Sequence, residues 1–270
     1  MGTMSARQIA DTFETIAPIA SGIEGDQLGF IFGDPGSEVR GVACMWNAHS
    51  ASIRVAIDQG LNMLIVHEAL FYGPQKSPWY TGPERSEDIV ANRKRRRLLD
   101  DHGIVVYRSH SNWDALPEDG VADQAIVALG IGGLTVHASQ KFFRVHRLAR
   151  PMAVKDLAAC AQKGLGVPCT RMFGDGNREI TRFAFLIGGF GENQIHMPQA
   201  AVEMGAEALI IGEMSEFVVI AALECGVPVI ETLHSYSEIP AIKRQAEILR
   251  GYLPDIPVQY IPSGCLHFEE

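Results

Sequence analysis

The sequence predicts an α/β protein built as two α/β lobes with mixed, largely parallel sheets. Two observations carry this expectation. Short continuous apolar runs recur, at Met63–Val66, Ile104–Tyr107, Phe183–Ile187 and Ala208–Ile211. Each is too short for a helix and too uniformly apolar for a strand with one wet face, so each reads as a strand buried on both sides. Segments with apolar residues spaced three and four apart separate them, and that is the helical period. Strands and helices in alternation are the mark of a sheet wound with helical crossovers.

Taken in order, residues 6–20 predict a helix with Ile9, Phe13, Ile16 and Ile19 on one face. Glycines then bracket a short strand within Gly25–Gly33, and Val42–Trp46 is a second apolar run. A helix over about 50–59 stops at Gly60, a residue suited to a left-handed C-terminal cap. Met63–Val66 runs directly into His67-Glu68. A charged helix over 85–102 precedes Ile104–Tyr107, which leads into Ser109-His110. Residues 131–150 hold Gly132-Gly133 and many basic side chains and show the least regular pattern. The lobe boundary is therefore placed there, giving an N-terminal lobe of 1–130 and a C-terminal lobe of 131–270.

Beyond the boundary the spacing predicts a helix over 154–163, the strand 183–187 and a tight turn at Gly188–Gly191. A helix over 197–204, the strand 208–211 closed by Gly212-Glu213, and a helix over 215–225 follow. One more strand ends just before His234. The last helix is expected to start near Ser237, with that serine as cap and Glu238 at the positive end of the helix dipole. Pro240 would then fall in the first turn, where its missing N–H does no harm. Ile242, Ala246, Leu249 and Leu253 form its buried stripe.

Composition narrows the function classes. The chain is 47% hydrophobic and 20% charged, ordinary values for a globular protein. No apolar run reaches the roughly 20 residues that a membrane-spanning helix needs. Met1–Glu14 lacks a basic stretch followed by a long apolar core, so no secretion signal is expected and the expected compartment is the cytoplasm. A formal net charge of −9 argues against a general nucleic-acid binder. The run Arg93–Arg97 is a local exception. It reads as a solvated helix face, with an anionic ligand or a partner as the alternative. The cysteines Cys44, Cys160, Cys169, Cys225 and Cys265 are widely spaced and odd in number. They read as reduced, mostly packed thiols, not a zinc finger or a disulfide frame.

Ligands in open α/β sheets collect beyond the carboxyl ends of the strands. Three segments that follow predicted strands carry metal-ligating side chains there: His67 with Glu68, His110 with Asp114, and His234 with Glu238. A single histidine is most often a satisfied structural residue. Three such clusters at strand ends point instead to a shared cation site. Nucleophilic alternatives are poorer. No Gly-x-Ser-x-Gly elbow occurs, and Cys225 lies in a helix-like, packed stretch. Gly188–Gly191 lacks the third glycine of a dinucleotide fingerprint and the Gly-Lys-Ser/Thr of a phosphate loop. His102, His137, His146, His196 and His267 have no partner at ligand spacing and read as surface or structural residues.

Five blocks stand in a telling order: Leu28-Gly29, Val66-His67-Glu68, His110 to Asp114, Gly212-Glu213-Met214-Ser215-Glu216, and His234 to Glu238. In order and spacing the chain resembles the short form of the Nif-three-like family, the GTP cyclohydrolase 1 type 2 homologues. The resemblance implies two divalent metal ions in a cleft between two α/β lobes, with ligands at His67, Asp114, His234 and Glu238. It also implies a homo-oligomer, commonly a ring of six. Three positions depart from the family pattern. Glu68 replaces a second metal-binding histidine, Ala69 replaces the proline after it, and Asn47-Ala48-His49 stands where the family has Asp-x-Thr.

A carboxylate at position 68 is a harder donor than imidazole and adds negative charge. That favours manganese, magnesium or iron over a nitrogen-rich zinc site. The alternative is that Glu68 turns away and one metal binds tightly, with His49 as a substitute donor. His110 is the candidate catalytic residue, placed to move a proton or orient a ligand. Its other reading is a hydrogen bond that supports Asp114. Three functions fit. The first is a metal-dependent hydrolase acting on an unknown small molecule, such as a nucleotide or phosphoester. The others are a regulatory or interaction protein that binds metal without turnover, and a metal chaperone or store.

Overall fold

The computed structural model describes residues 3–74, 76–77, 80–81, 83 and 85–264. Cys265 and His267 lie outside the described residues. In chain order the elements begin with β1 (Met4–Ser5), α1 (Ala6–Ile16), β2 (Gly29–Phe32), β3 (Glu38–Val39), β4 (Val42–Met45), α2 (Ser50–Asp58) and β5 (Met63–Val66). A two-stranded ribbon of β6 (Lys76–Ser77) and β7 (Tyr80–Thr81) precedes α3 (Val90–Asp101), β8 (Val105–Arg108), α4 (Ser111–Asp114) and α5 (Val121–Ala128). Next come β9 (Thr135–Ser139), β10 (Arg144–Ala153), α6 (Val154–Leu165), β11 (Arg171–Phe173), β12 (Glu179–Phe190) and α7 (His196–Glu203). The chain closes with β13 (Leu209–Met214), α8 (Glu216–Glu224), β14 (Val229–Glu231), α9 (His234–Tyr252) and β15 (Val258–Tyr260).

These elements form two compact units, one of residues 1–113 with 242–270 and one of residues 114–241. The position 130/131 falls inside the second of these.

The first unit holds a five-stranded sheet in the order β15-β4-β5-β8-β2. Its pairs are parallel except β2 with β8. All four residues of β4, β5 and β8 are buried, as strands covered on both faces must be. Ile53 and Ala56 of α2 and Leu99 of α3 pack with Ala43, Leu64, Val66 and Val106. Phe13 of α1 stacks on Trp113 and meets Tyr107 edge-on. Helix α1 stops at Ile16, two residues before Pro18, earlier than the periodicity predicts. Gly60 does follow α2 in the left-handed region, at φ 74°.

The basic run on α3 is not one solvated face. Arg95 is buried and donates to the Leu70 carbonyl at 2.7 Å. Arg96 lies over the rings of Phe32 and Phe71. Those aromatic faces take up cationic side chains that spacing alone assigns to water.

The second unit carries a six-stranded sheet in the order β11-β14-β13-β12-β10-β9. Only β12/β13 and β13/β14 are parallel, so this sheet is mixed. Leu157, Ala161 and Leu165 of α6 cover one face, and Ala201 of α7 with Val218 and Ala222 of α8 cover the other. The stretch 131–150, irregular in sequence, supplies β9 and the start of β10. Its strands are antiparallel, β9 largely exposed and the start of β10 a mix of buried and exposed residues, so they lack the continuous apolar signature.

Among the described cysteines all four are free thiols. Cys44 is buried and its thiol is pushed up to about 12 by burial, whereas Cys169 and Cys225 are exposed and not packed. Cys225 follows α8 as its C-terminal cap, a position open to solvent. Among the described residues no helix is long and apolar enough to cross a membrane.

Candidate metal centre

In the first unit, strand β5 carries its apolar side chains into the core and delivers His67 at its end. His67 is buried, and its Nδ1 meets the Ser109 carbonyl at 3.1 Å. A carbonyl only accepts, so Nδ1 carries the proton and Nε2 is the acceptor nitrogen. The next residue, Glu68, is half-buried. Strand β8, paired in parallel with β5, delivers Ser109 and His110 one step further on. The His67 and His110 rings lie 4.9 Å apart between centroids. His67, Glu68 and His110 each offer a ligand atom within 4.8 Å of the others, a group that could hold a metal ion.

His110 is held from behind by Asp26. Its Nδ1 lies 2.8 Å from Asp26 Oδ2, and Arg108 donates to Oδ1 of the same carboxylate at 2.6 Å. Ser111 donates to it twice, from Oγ at 2.6 Å and from its backbone N–H at 3.2 Å. Burial alone would raise the Asp26 pKa. The hydrogen bonds from Ser111, His110 and Arg108 outweigh burial and hold it well below the usual carboxylate range. Arg108 also donates to the His67 carbonyl at 3.0 Å, tying the end of β5 to the loop that carries Asp26. The partner of His110 Nδ1 is thus Asp26, not Asp114 as the four-residue spacing suggests.

In the second unit, Asp114 is the last residue of the one-turn helix α4. His234 and Glu238 stand one turn apart on α9, which begins at His234 itself and not near Ser237. Leu233 makes the corner between β14 and α9 with φ 75°, uncommon for a residue with a side chain. Ser237 is then inside the helix, buried, and donates its Oγ to the His234 carbonyl at 2.7 Å. Pro240 lies beyond the first turn, within the helix.

His234 faces a carboxylate at each ring nitrogen. Nδ1 is 3.2 Å from Glu213 Oε1, and Nε2 is 3.3 Å from Glu238 Oε1. Glu238 is buried and offers ligand atoms within 4.8 Å of one from Asp114 and of one from His234. Glycines floor this group. Gly188 and Gly189 extend β12 past its apolar run, at an irregularity in the pairing with β13, and do not form the tight turn that the sequence predicts. A methyl group at Gly188 would stand 3.0 Å from Glu238 Oε1 and 3.5 Å from His234 Nε2. The missing side chains leave the donor atoms uncovered, and imidazole with carboxylate is a donor set that divalent ions accept. Beside it opens a pocket of about 480 Å³ bordered by Arg171, Gly189, Glu213, Ser215, Glu231 and His234. Arg171 forms an ion pair with the buried Glu231.

His49 has a different position. It caps α2, accepting from the Ser52 N–H at Nδ1, 3.3 Å away. Among the described residues it joins no group of potential ligands. Burial and the nearby Arg95 lower its pKa.

Asp26 is a part of the arrangement that spacing does not single out, whereas Glu213 lies in one of the five blocks and the glycine pair in the expected turn, neither assigned to the site by sequence. Asp26 does sit in the glycine-bracketed Gly25–Gly33 segment, and Glu213 closes an apolar run. Those were the available signals.

Mixed α/β units with groups of imidazole and carboxylate side chains that could hold a metal ion beyond their strand ends define the class of protein. Within that class the chain belongs to the Duf34/NIF3 (NGG1p interacting factor 3) family, whose model matches residues 4–264. Relatives named GTP cyclohydrolase 1 type 2 homolog extend the match. The one from Clostridium acetobutylicum is 25% identical over 259 residues, spanning 93% of this chain and 91% of the relative. That from Clostridium perfringens is 25% identical over 266 residues and 96% of each chain. Among solved structures, a Bacillus cereus protein related to NIF3 superposes with a TM-score of 0.81 at 17% identity, covering 100% of this chain and 99% of its own. Reduced HcgD from Methanocaldococcus jannaschii gives 0.73 at 22% identity, covering 97% and 99%. These likenesses establish a shared fold.

Proposed function

We propose that this chain is a metal-dependent hydrolase that carries two divalent ions and acts on a small molecule of the nucleotide or phosphoester class. The proposed ligands are His67, Glu68, Asp114, His234 and Glu238, and the ions are manganese, iron, zinc or magnesium. The observation that carries the reading is the recurrence of imidazole beside carboxylate at strand ends, over a glycine floor that keeps the donor atoms open.

Bound divalent ions would supply Lewis acidity: a water acidified toward neutrality and a polarised scissile bond. The rest falls to the chain's own groups. Asp26 and Glu213 would hold the Nδ1–H of His110 and His234, so each imidazole presents Nε2 in a fixed direction. Arg171, ion-paired with Glu231 at the rim of the pocket beside His234, would meet an anionic substrate by exchanging that partner. His110 would move a proton or orient a ligand. Assembly into a homo-oligomeric ring is part of the same reading, and sedimentation as a monomer would remove that part.

The departure at Glu68 supports a second reading, a metal-binding regulatory or interaction protein without turnover. One experiment separates the two. Native protein and a Glu68→His variant are compared by elemental analysis, then incubated with GTP and a generic phosphodiester, with manganese or with chelator. At least one metal per native chain is expected, with the variant gaining occupancy or moving toward zinc. Metal-dependent turnover supports the hydrolase. Tight metal without turnover on either compound favours the second reading, and unchanged metal content in the variant removes Glu68 from the site.

A further inference from the structure

We infer that His110 is a metal ligand, the third donor of a cation site built entirely within the first unit from His67, Glu68 and His110, with Asp26 as the residue that positions it. The inference rests on the metal-binding part of the proposed function and is independent of turnover.

The geometry is local. The three side chains come from the ends of two adjacent parallel strands, and their ligand atoms lie within 4.8 Å of one another. Donors that share one ion at about 2.0–2.2 Å each stand no more than about 4.4 Å apart, so side-chain adjustments of a few tenths of an ångström close the group. Both histidines are held the same way. His67 gives its Nδ1–H to the Ser109 carbonyl, and His110 gives its own to Asp26. Each therefore presents Nε2 as its electron-pair nitrogen. Asp26 cannot swing toward a cation itself, because Arg108, Ser111 Oγ and the Ser111 backbone N–H hold its two oxygens.

The donor count also fits. Within the first unit His67 and His110 each offer a nitrogen and Glu68 an oxygen. Two imidazoles and one carboxylate form a set that suits Zn²⁺ or Fe²⁺ better than Mg²⁺, which prefers oxygen. A histidine whose Nε2 pair is given to a cation does not also carry protons, so ligation would take the place of the proton-transfer role proposed for His110 above.

The test uses the full chain, ¹⁵N-labelled at histidine and titrated with Zn²⁺ alone, then with Zn²⁺ against excess Mg²⁺. The His110 ring resonances are assigned by their loss in His110→Ala. The expected result is a large shift of the His110 Nε2 signal at saturation, with zinc retained against magnesium. Affinity for Zn²⁺ should fall about 10- to 100-fold in His110→Ala and about 10-fold in Asp26→Asn, the usual range for losing a donor's support. His110→Asp, which returns a donor atom, should recover part of the loss and so separates ligation from folding. An unmoved His110 signal together with full affinity in His110→Ala would overturn the inference. If His67→Ala abolishes zinc uptake while His110→Ala does not, the proposed metal site stands and only this assignment fails. If native protein takes up no zinc, both fail.

Discussion

His146 shows what a single titratable side chain does to this fold. It sits buried on β10, paired across the sheet with Phe183 and stacked on its ring at 5.8 Å. Burial, aided by the positive charge of Arg144 and opposed by Asp123, holds its pKa down to about 4. An unfolded histidine titrates near 6.5. Between those values the unfolded chain binds a proton that the folded chain refuses. Stability is therefore fully present above about pH 6.5 and falls as pH drops toward 4, by about 3 kcal/mol for this one group. His49, also lowered, acts in the same direction. Asp26 acts lower still, because its carboxylate is lost only below the ordinary aspartate range. Denaturant midpoints at pH 7, 5.5 and 4.5 should decline in the native chain, and the decline should be clearly shallower in His146→Phe. Equal slopes would remove His146 as the cause. The sequence marks His146 only as a histidine without nearby partners, because its burial comes from a strand pairing made 37 residues away. Asp26 was illegible for the same reason at longer range, since its contacts to Arg108, His110 and Ser111 span 82 to 85 residues.

Elements position the candidate site through close approach of backbone. Gly212 on β13 faces the Gly188 carbonyl and Ser237 of α9. A methyl group there would stand 2.2 Å from that carbonyl oxygen and 2.8 Å from Ser237 Oγ. Gly212→Ala must therefore push β13 away from β12 or α9, and overpacking of this kind costs about 1–3 kcal/mol. The expected outcome is an unfolding free energy lowered by that amount, read as a lower denaturant midpoint at unchanged m, with weaker metal binding because α9 carries His234 and Glu238. Unchanged stability would show that these elements have more slack than the contacts imply. The same junction explains which elements were legible. Strands β5, β8 and β13 announce themselves by apolar runs, and all three are present with small shifts at their ends. The start of α9 does not. It depends on Leu233 turning the corner at positive φ, a conformation that sequence signals through glycine or asparagine and not through leucine. Likewise Gly188 and Gly189 look like a turn but continue a strand, because a pairing irregularity uses their freedom inside the sheet.

At the scale of the whole molecule, the two units have their own cores, and where they melt in separate steps metal binding can be located by asking which step it moves. The chain has no tryptophan between residues 114 and 241, the span of the second unit. Tryptophan fluorescence therefore follows the first unit alone, while far-ultraviolet circular dichroism follows both. A ligand at 100 times its dissociation constant stabilises the folded state by about 2.7 kcal/mol. For a unit of this size that corresponds to a rise of roughly 8 °C in the melting temperature. If each unit binds metal, adding chelator should lower the fluorescence transition and the dichroism transition together. The pair of substitutions His234→Ala and Glu238→Ala removes two proposed donors of the second unit. If His67, Glu68 and His110 suffice for one ion, the fluorescence transition should keep part of its metal-dependent rise in that double variant. A fluorescence transition indifferent to metal, beside a dichroism transition that still responds, would place the bound ion with Asp114, His234 and Glu238 only.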